Sequence, residues 1–277
     1  YTPATGPRLL IHPEADAVRV SDLLIEGALE LCRELQLSSL HWLFTNAADT
    51  ERLQARGLLL RQGVQFHWHN PGYRDFQDFL DTFTAEKRKK LKRERRRVVE
   101  QDIELRVVHG NEASDEEWQI AHAFYASTFD RKSGMATLSL DFFREIGRTM
   151  GERVVLVFAY ARSRPIACAI NLRGPDALYG RHWGCDEEYH SLHFEACYYQ
   201  GIDYCIRHGL KLFEPGAQGE HKISRGFVPT ATWSAHWIAD ERFRVAIADY
   251  VQREAHAMRD YTDTLREHIP YRADSTL

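Results

Sequence analysis

The stretch GAQGEHKISRG, residues 216–226, packs three glycines, a glutamine, a glutamate, a histidine, a lysine and an arginine into eleven positions. Gly216, Gly219 and Gly226 leave backbone N–H groups accessible, and Lys222 and Arg225 add positive charge. Together they make a cradle suited to a phosphate or carboxylate. The spacing is not that of a P-loop, since no Ser or Thr follows the lysine. Glu214, at the end of the preceding strand-like stretch, and Glu220 and His221 within the loop can accept a proton. So many small, charged and amide side chains in one loop predict a site there rather than an ordinary polar surface turn.

A second group precedes it. His193 and Glu195 open an apolar helical stretch, where they could exchange a proton, although a carboxylate in a first turn also simply suits the helix dipole. In the strand 178–184, period-two alternation sets Gly180, His182 and Gly184 on one face and Tyr179, Arg181 and Trp183 on the other. The glycines either admit a ligand to the backbone or relieve crowding between helix and sheet. His182, Arg181 and Trp183, with Gln218 in the loop, are the candidate substrate contacts. His182, Cys185, His190, His193 and Cys197 have spacings that zinc could use, but they match no standard finger and Cys197 falls among apolar helical residues, so no metal is expected.

The third candidate is EKRKKLKRERRR, residues 86–97, with nine Lys/Arg against two Glu. Its +7, within a chain of net charge −4, leaves −11 for the rest. One concentrated cationic element on an acidic protein predicts a local anion site, here through Lys89, Lys92, Arg93 and Arg96, rather than general coating of nucleic acid. Only Leu91 stands out as an apolar anchor inside the run, so most of this helix is expected to face water or an anion.

These groups need positioning. Periodicity predicts a helix over 22–36 burying Leu23, Leu24, Ala28, Leu31 and Leu35, a strand over SSLHWLFTN, a short helix near 48–56 and a strand over 58–69 closed by Asn70-Pro71-Gly72. After the basic helix come a strand at 103–109 and helices at 116–129 and 140–150. Three short strands joined by tight turns then form an antiparallel meander, followed by a helix over 193–208, a strand ending at Glu214, another strand and a long helix from Glu241. A lobe boundary is expected near 73–83, giving lobes 1–78 and 79–277.

The 277 residues are 44% hydrophobic and 12% aromatic, enough for a sizeable core. No apolar run approaches the ~20 residues of a membrane-spanning helix, and nothing at the start reads as a secretory signal, which points to the cytosol. The odd set of five cysteines is expected to be reduced. The loop-like start without methionine suggests an upstream segment.

The motifs TPATGPRLL, QFHWHNPGY, EKRKKLKRERRRV, LYGRHWGC, LHFEACYYQGID and FEPGAQGEHKISRGF resemble the bacterial FemAB-like N-acyltransferases, the peptidoglycan biosynthesis or recognition proteins of the GNAT superfamily. The resemblance spans the chain and implies a mixed α/β (α+β) GNAT-like fold of two lobes, the first incomplete. It implies transfer of an acyl or aminoacyl group to a small-molecule or peptide amine, without a permanently bound cofactor. Fem-type relatives use aminoacyl-tRNA and most GNAT enzymes use acyl-CoA. Here the Gln/Arg-x-x-Gly-x-Gly/Ala loop of the acyl-CoA enzymes is replaced by CDEEYHSLHFE. Such chemistry needs a deprotonated amine and a polarised carbonyl. The base is expected among Glu195, Glu214 and Glu220, relayed by His193 or His221. The anion site would be formed by the basic helix with Lys222 and Arg225. A conventional acyl-CoA enzyme and a silent peptidoglycan-precursor or RNA binding module are the alternatives.

Overall fold

A computed structural model describes residues 3–131, 134–217 and 219–272. The chain forms two compact units, Tyr1–Gln65 with Pro229–His268, and Phe66–Val228 with Ile269–Leu277. This division and the expected boundary at residue 78 do not coincide. The chain does turn at Asn70-Pro71-Gly72, but the end of the preceding strand already pairs within the second unit.

In the first unit, α1 (Ala17–Glu34) starts where the Asp16 carboxylate accepts the N–H groups of Val18 and Arg19. Strand β1 (Ser39–Thr45) follows, then α2 (Ala47–Ala55), capped by Asn46, and β2 (Leu59–His69), which passes into the second unit. The core gathers Leu9, Ile25, Leu29, Leu53, Leu58 and Ala235. The expected core face of α1 is corrected: Leu23, Leu24, Leu31 and Leu35 are exposed, and Ser21, Ile25, Leu29 and Cys32 are buried. The helix carries apolar residues on more than one face, so periodicity alone did not select the inner one.

The second unit begins with α3 (Phe76–Asp81) and the basic helix α4 (Ala85–Val99). Then come β3 (Ile103–His109), α5 (Asp115–Asp130), started by a Ser114/Glu117 capping box, and α6 (Leu140–Met150), ended by Gly151 at φ 55. The meander is β4 (Val154–Ala161), β5 (Arg164–Arg173) and β6 (Ala177–Cys185). The next helix is interrupted. It consists of α7 (Leu192–Phe194), a π turn over Glu195–Tyr199, and α8 (Gln200–Arg207). Strand β7 (Leu212–Glu214) is followed by a 3₁₀ turn at Glu220–Arg225. Strand β8 (Val228–Ile238), paired antiparallel with β1, and helix α9 (Glu241–Arg266) belong mostly to the first unit.

Strands β3, β4, β5 and β6 pair antiparallel in that order, and β7 lies parallel to β6. Alternation divides β4 between two cores. Leu156 and Phe158 face Trp118, Tyr125 and Phe143 of α5 and α6, while Val157 and Ala159 face the side of Leu192, Ala196 and Val98. The five cysteines are free thiols, as expected.

Candidate active site

Strand β7 pairs with β6 only at Ala177, Leu178 and Tyr179. The ladder ends at Glu214, and Pro215 follows against Gly180 of β6.

Strand β6 carries a bulge just beyond this ladder. Gly180 pairs with Asn171 and His182 with Ile170, so Arg181 is an extra residue. The bulge shifts the alternation, and Gly180 does not share a face with His182 and Gly184. His182 is packed in the core against Tyr125 and Phe143, with ring centroids at 4.7 and 6.3 Å, and burial pushes its pKa down to about 4. It is not among the residues that line the cleft described below. Neither glycine leaves room for a ligand: a Cβ on Gly184 would lie 1.8 Å from the Phe124 carbonyl oxygen, and one on Gly180 3.1 Å from the Pro215 backbone. Trp183, on the opposite face, does reach the site, 5.5 Å from the His193 ring.

Residues 221–225 lie against the interrupted helix, through His221 at Tyr198 and Arg225 over Phe194. His221 Nε2 is 2.9 Å from the Tyr198 hydroxyl, and the His193 ring is 5.2 Å from Tyr198 and 6.4 Å from His221. Burial, with His221, Arg225 and Lys222 nearby, pushes His193 down to about 4. His221 is also lowered, by partial burial and then by Arg225 and Lys222. Both imidazoles are therefore neutral at pH 7. Burial raises the Tyr198 phenol, which keeps its proton.

The carboxylates are differently placed. Glu195, 4% exposed, takes two hydrogen bonds from Arg95, at 3.1 and 2.9 Å, and one from Gln200 at 2.8 Å. Its oxygens are thus already engaged by three donors. Glu214 is buried with His67, whose Nε2 lies 3.9 Å away, and burial pushes His67 to about 4. Glu220 is exposed.

Lys222 and Arg225, expected to cradle an anion, are 2% and 3% exposed. The Lys222 ammonium donates to the Gly216 carbonyl at 2.7 Å, and burial pushes its pKa down to about 8. Arg225 is bound in two-pronged fashion by Glu94, at 3.1 and 2.8 Å, lies 3.4 Å over the Phe194 ring and donates to the His221 carbonyl at 2.6 Å. Tyr199 also donates to Glu94. These two cations shape the loop and fasten it to α4. Gln218 lies outside the described residues.

The cations that line the cleft come mostly from α4. A cleft of about 680 Å³ is lined by Lys90, Arg93, Arg97 and Arg131, with Trp183, His193 and Phe194 contributing its aromatic surface. Among the described residues none of these four cations forms an ion pair with a carboxylate. Of the acids lining it, Glu94 is held by Arg225, leaving Glu187 and Glu188. Arg93 also borders a second hollow of about 330 Å³ on α4, formed by Ala85, Arg88, Lys89, Lys92 and Arg96. Of the four expected basic-helix contacts only Arg93 lines the main cleft. Lys90, Arg97, Arg131, Glu94 and Tyr198 were missed.

The profile of the FemAB-like family, described as peptidoglycan biosynthesis/recognition, matches residues 1–273. The chain belongs to the FemAB-like family. No curated protein matches it. Among solved structures this FemAB-like chain is similar to L-PGS from Bacillus licheniformis, at 11% identity and TM-score 0.60, covering 90% of this chain and 78% of that one. It is also similar to the C-terminal domain of a proposed lysylphosphatidylglycerol synthetase from Agrobacterium fabrum, at 12% identity and TM-score 0.58, covering 88% and 79%. FemX matches at 10% identity and TM-score 0.56, covering 84% and 80%. These likenesses establish that the chain shares the mixed α/β fold of those structures. Among the described residues no helix is long and apolar enough to cross a membrane.

Proposed function

We propose that this FemAB-like protein transfers an aminoacyl group from a charged tRNA to an amine of a cell-wall precursor. Family membership supports an acyltransferase of this broad class. The observation that carries the finer reading is the shared wall of the cleft: His193 lines it and also packs on the Tyr198–His221 pair, opposite cations with no carboxylate partners. The second basic hollow on α4 favours a donor with phosphates beyond one cluster, hence tRNA over coenzyme A.

In this reading Lys90, Arg93, Arg97 and Arg131 hold donor phosphates, and the acyl end lies against Trp183 and Phe194. His221 Nε2–H donates to the Tyr198 oxygen, leaving the Nδ1 lone pair free for the acceptor's ammonium proton. That first proton is released to solvent; the amine nitrogen then attacks the acyl carbonyl, a C–N bond forms, the ester C–O bond breaks, and the second N–H proton, lost from the attacking nitrogen, passes through His221 to the leaving oxygen. Glu195 and Glu214 are positioning groups, and Glu220 is a solvent-facing acid outside the proton path.

Transfer of a labelled amino acid from tRNA to a muropeptide amine tests this, with labelled acyl-CoA as a second donor. His221→Gln should lower the single-turnover rate about 100-fold or more, and Glu220→Gln less than about tenfold. Full activity of His221→Gln and His193→Gln, alongside loss in Glu220→Gln, would return the base role to the carboxylate.

A further inference from the structure

At the end of the sheet away from the cleft, β3 finishes at His109, β5 at Arg173, and His208 follows α8. The buried Tyr204 links them. Its hydroxyl is 3.0 Å from His109 Nε2 and 3.2 Å from an Arg173 guanidinium nitrogen, and its ring centroid is 4.1 Å from that of His208. Glu112 lies 3.3 Å from His109 Nδ1. One proton arrangement satisfies every atom in this chain. Nδ1–H of His109 donates to Glu112, the Tyr204 O–H donates to Nε2, and Arg173 donates to the phenol oxygen.

The relay orients one edge of the Arg173 guanidinium without cancelling its charge. Its other hydrogen-bond partner is His208 Nδ1 at 3.5 Å, on an imidazole kept neutral by partial burial and by Arg173 itself. Among the described residues Arg173 forms no ion pair, and neither does Arg153. Both line a hollow of about 350 Å³ with Glu152, Gly174 and Pro175, whose formal charge is therefore +1. The half-buried guanidinium has two neutral hydrogen-bond partners, and the one carboxylate lining the hollow, Glu152, is outnumbered by the two arginines.

We propose that Arg173 and Arg153 form a second anion site, separate from the transfer cleft, which takes a phosphate or carboxylate group on the free edge of Arg173. The fork of the guanidinium, pre-set by the Tyr204–His109–Glu112 relay, suits the two oxygens of either group.

The test uses calorimetric titration of the full chain with inorganic phosphate and, separately, acetate. It is made in an Arg93→Gln/Arg97→Gln background, which weakens binding along α4, and binding at the second site is recognised by its dependence on Arg173 and Arg153. Saturable binding of about one anion per chain should survive in that background. It should weaken about tenfold or more on adding Arg173→Gln, and also on adding Arg153→Gln, an exposed position whose loss leaves folding intact. Arg173→Lys, which keeps the charge but not the fork, should fall between. Tighter phosphate or tighter acetate binding names the ligand class. Absence of saturable binding in the cleft-neutralised chain, or binding indifferent to both arginine substitutions, would overturn the proposal.

Discussion

By composition Glu94 is merely one of two acids in a run with nine Lys and Arg. Its spacing carries a different message, for Leu91, Glu94 and Val98 recur at i, i+3 and i+7 and are the buried residues of α4. An acid on an apolar stripe requires a buried counter-charge, here Arg225, which sequence reasoning had assigned to an open cradle. Glu94→Gln should therefore cost about 3–5 kcal/mol in urea unfolding, because it strands a buried guanidinium, whereas Lys92→Gln on the exposed face should stay within about 0.5 kcal/mol. The histidines predict a pH dependence. His67, His182 and His193 fall from 6.5 to about 4 on folding, mainly through burial. Between those values the unfolded chain binds protons that the folded chain refuses, so stability is full above about pH 6.5 and declines as pH falls toward 4. His182→Leu, which removes one such group outside the proposed site, should flatten the decline by up to roughly 3 kcal/mol at pH 4, as measured by denaturant unfolding across pH. An unchanged slope would show that His182 accepts its proton in place.

At the scale of elements, most of the second unit is legible because strand alternation, Gly and Pro turns and helical periodicity agree. The helix 140–150 and the meander lie where those signals put them. The π turn at Glu195–Tyr199 and the bulge at Arg181 are not legible. Each adds one residue to a regular element through tertiary pairing, with no distinctive composition. They matter because the bulge moves Gly180 off the His182 face and the π turn lies between His193 and α8. Gly184 belongs to this scale too. Its missing side chain lets the α5 backbone approach β6, so Gly184→Ala should displace α5 and destabilise by about 1–3 kcal/mol or more. Gly27 is its counterpart. A Cβ there meets nothing within 4 Å inside α1, so Gly27→Ala should stabilise by about 0.5–1 kcal/mol. Thermal unfolding of the two variants side by side checks both signs.

For the whole molecule, charge separation is the property that sequence and structure describe alike: +7 in residues 86–97 against −11 elsewhere. The structure adds which cations are available. Glu94 is engaged by Arg225, Arg95 by Glu195 and Arg96 by Glu100, while Lys90, Arg93 and Arg97 line the cleft, and Lys89 and Lys92 line the neighbouring hollow. Sequence alone could not separate them, since every position in the run is basic or nearly so and only the buried stripe sets the helix's rotation. If the cleft receives a polyphosphate donor, these side chains release counterions when it binds. The most direct measurement is the affinity for aminoacyl-tRNA as a function of salt, for the unaltered chain and for Arg93→Gln/Arg97→Gln. The slope of log K against log salt should be steep for the former and shallower by about 1.4 to 1.8 for the latter, two phosphate contacts at about 0.7 to 0.9 each. An identical slope in the two proteins would contradict the placement of the donor in this cleft.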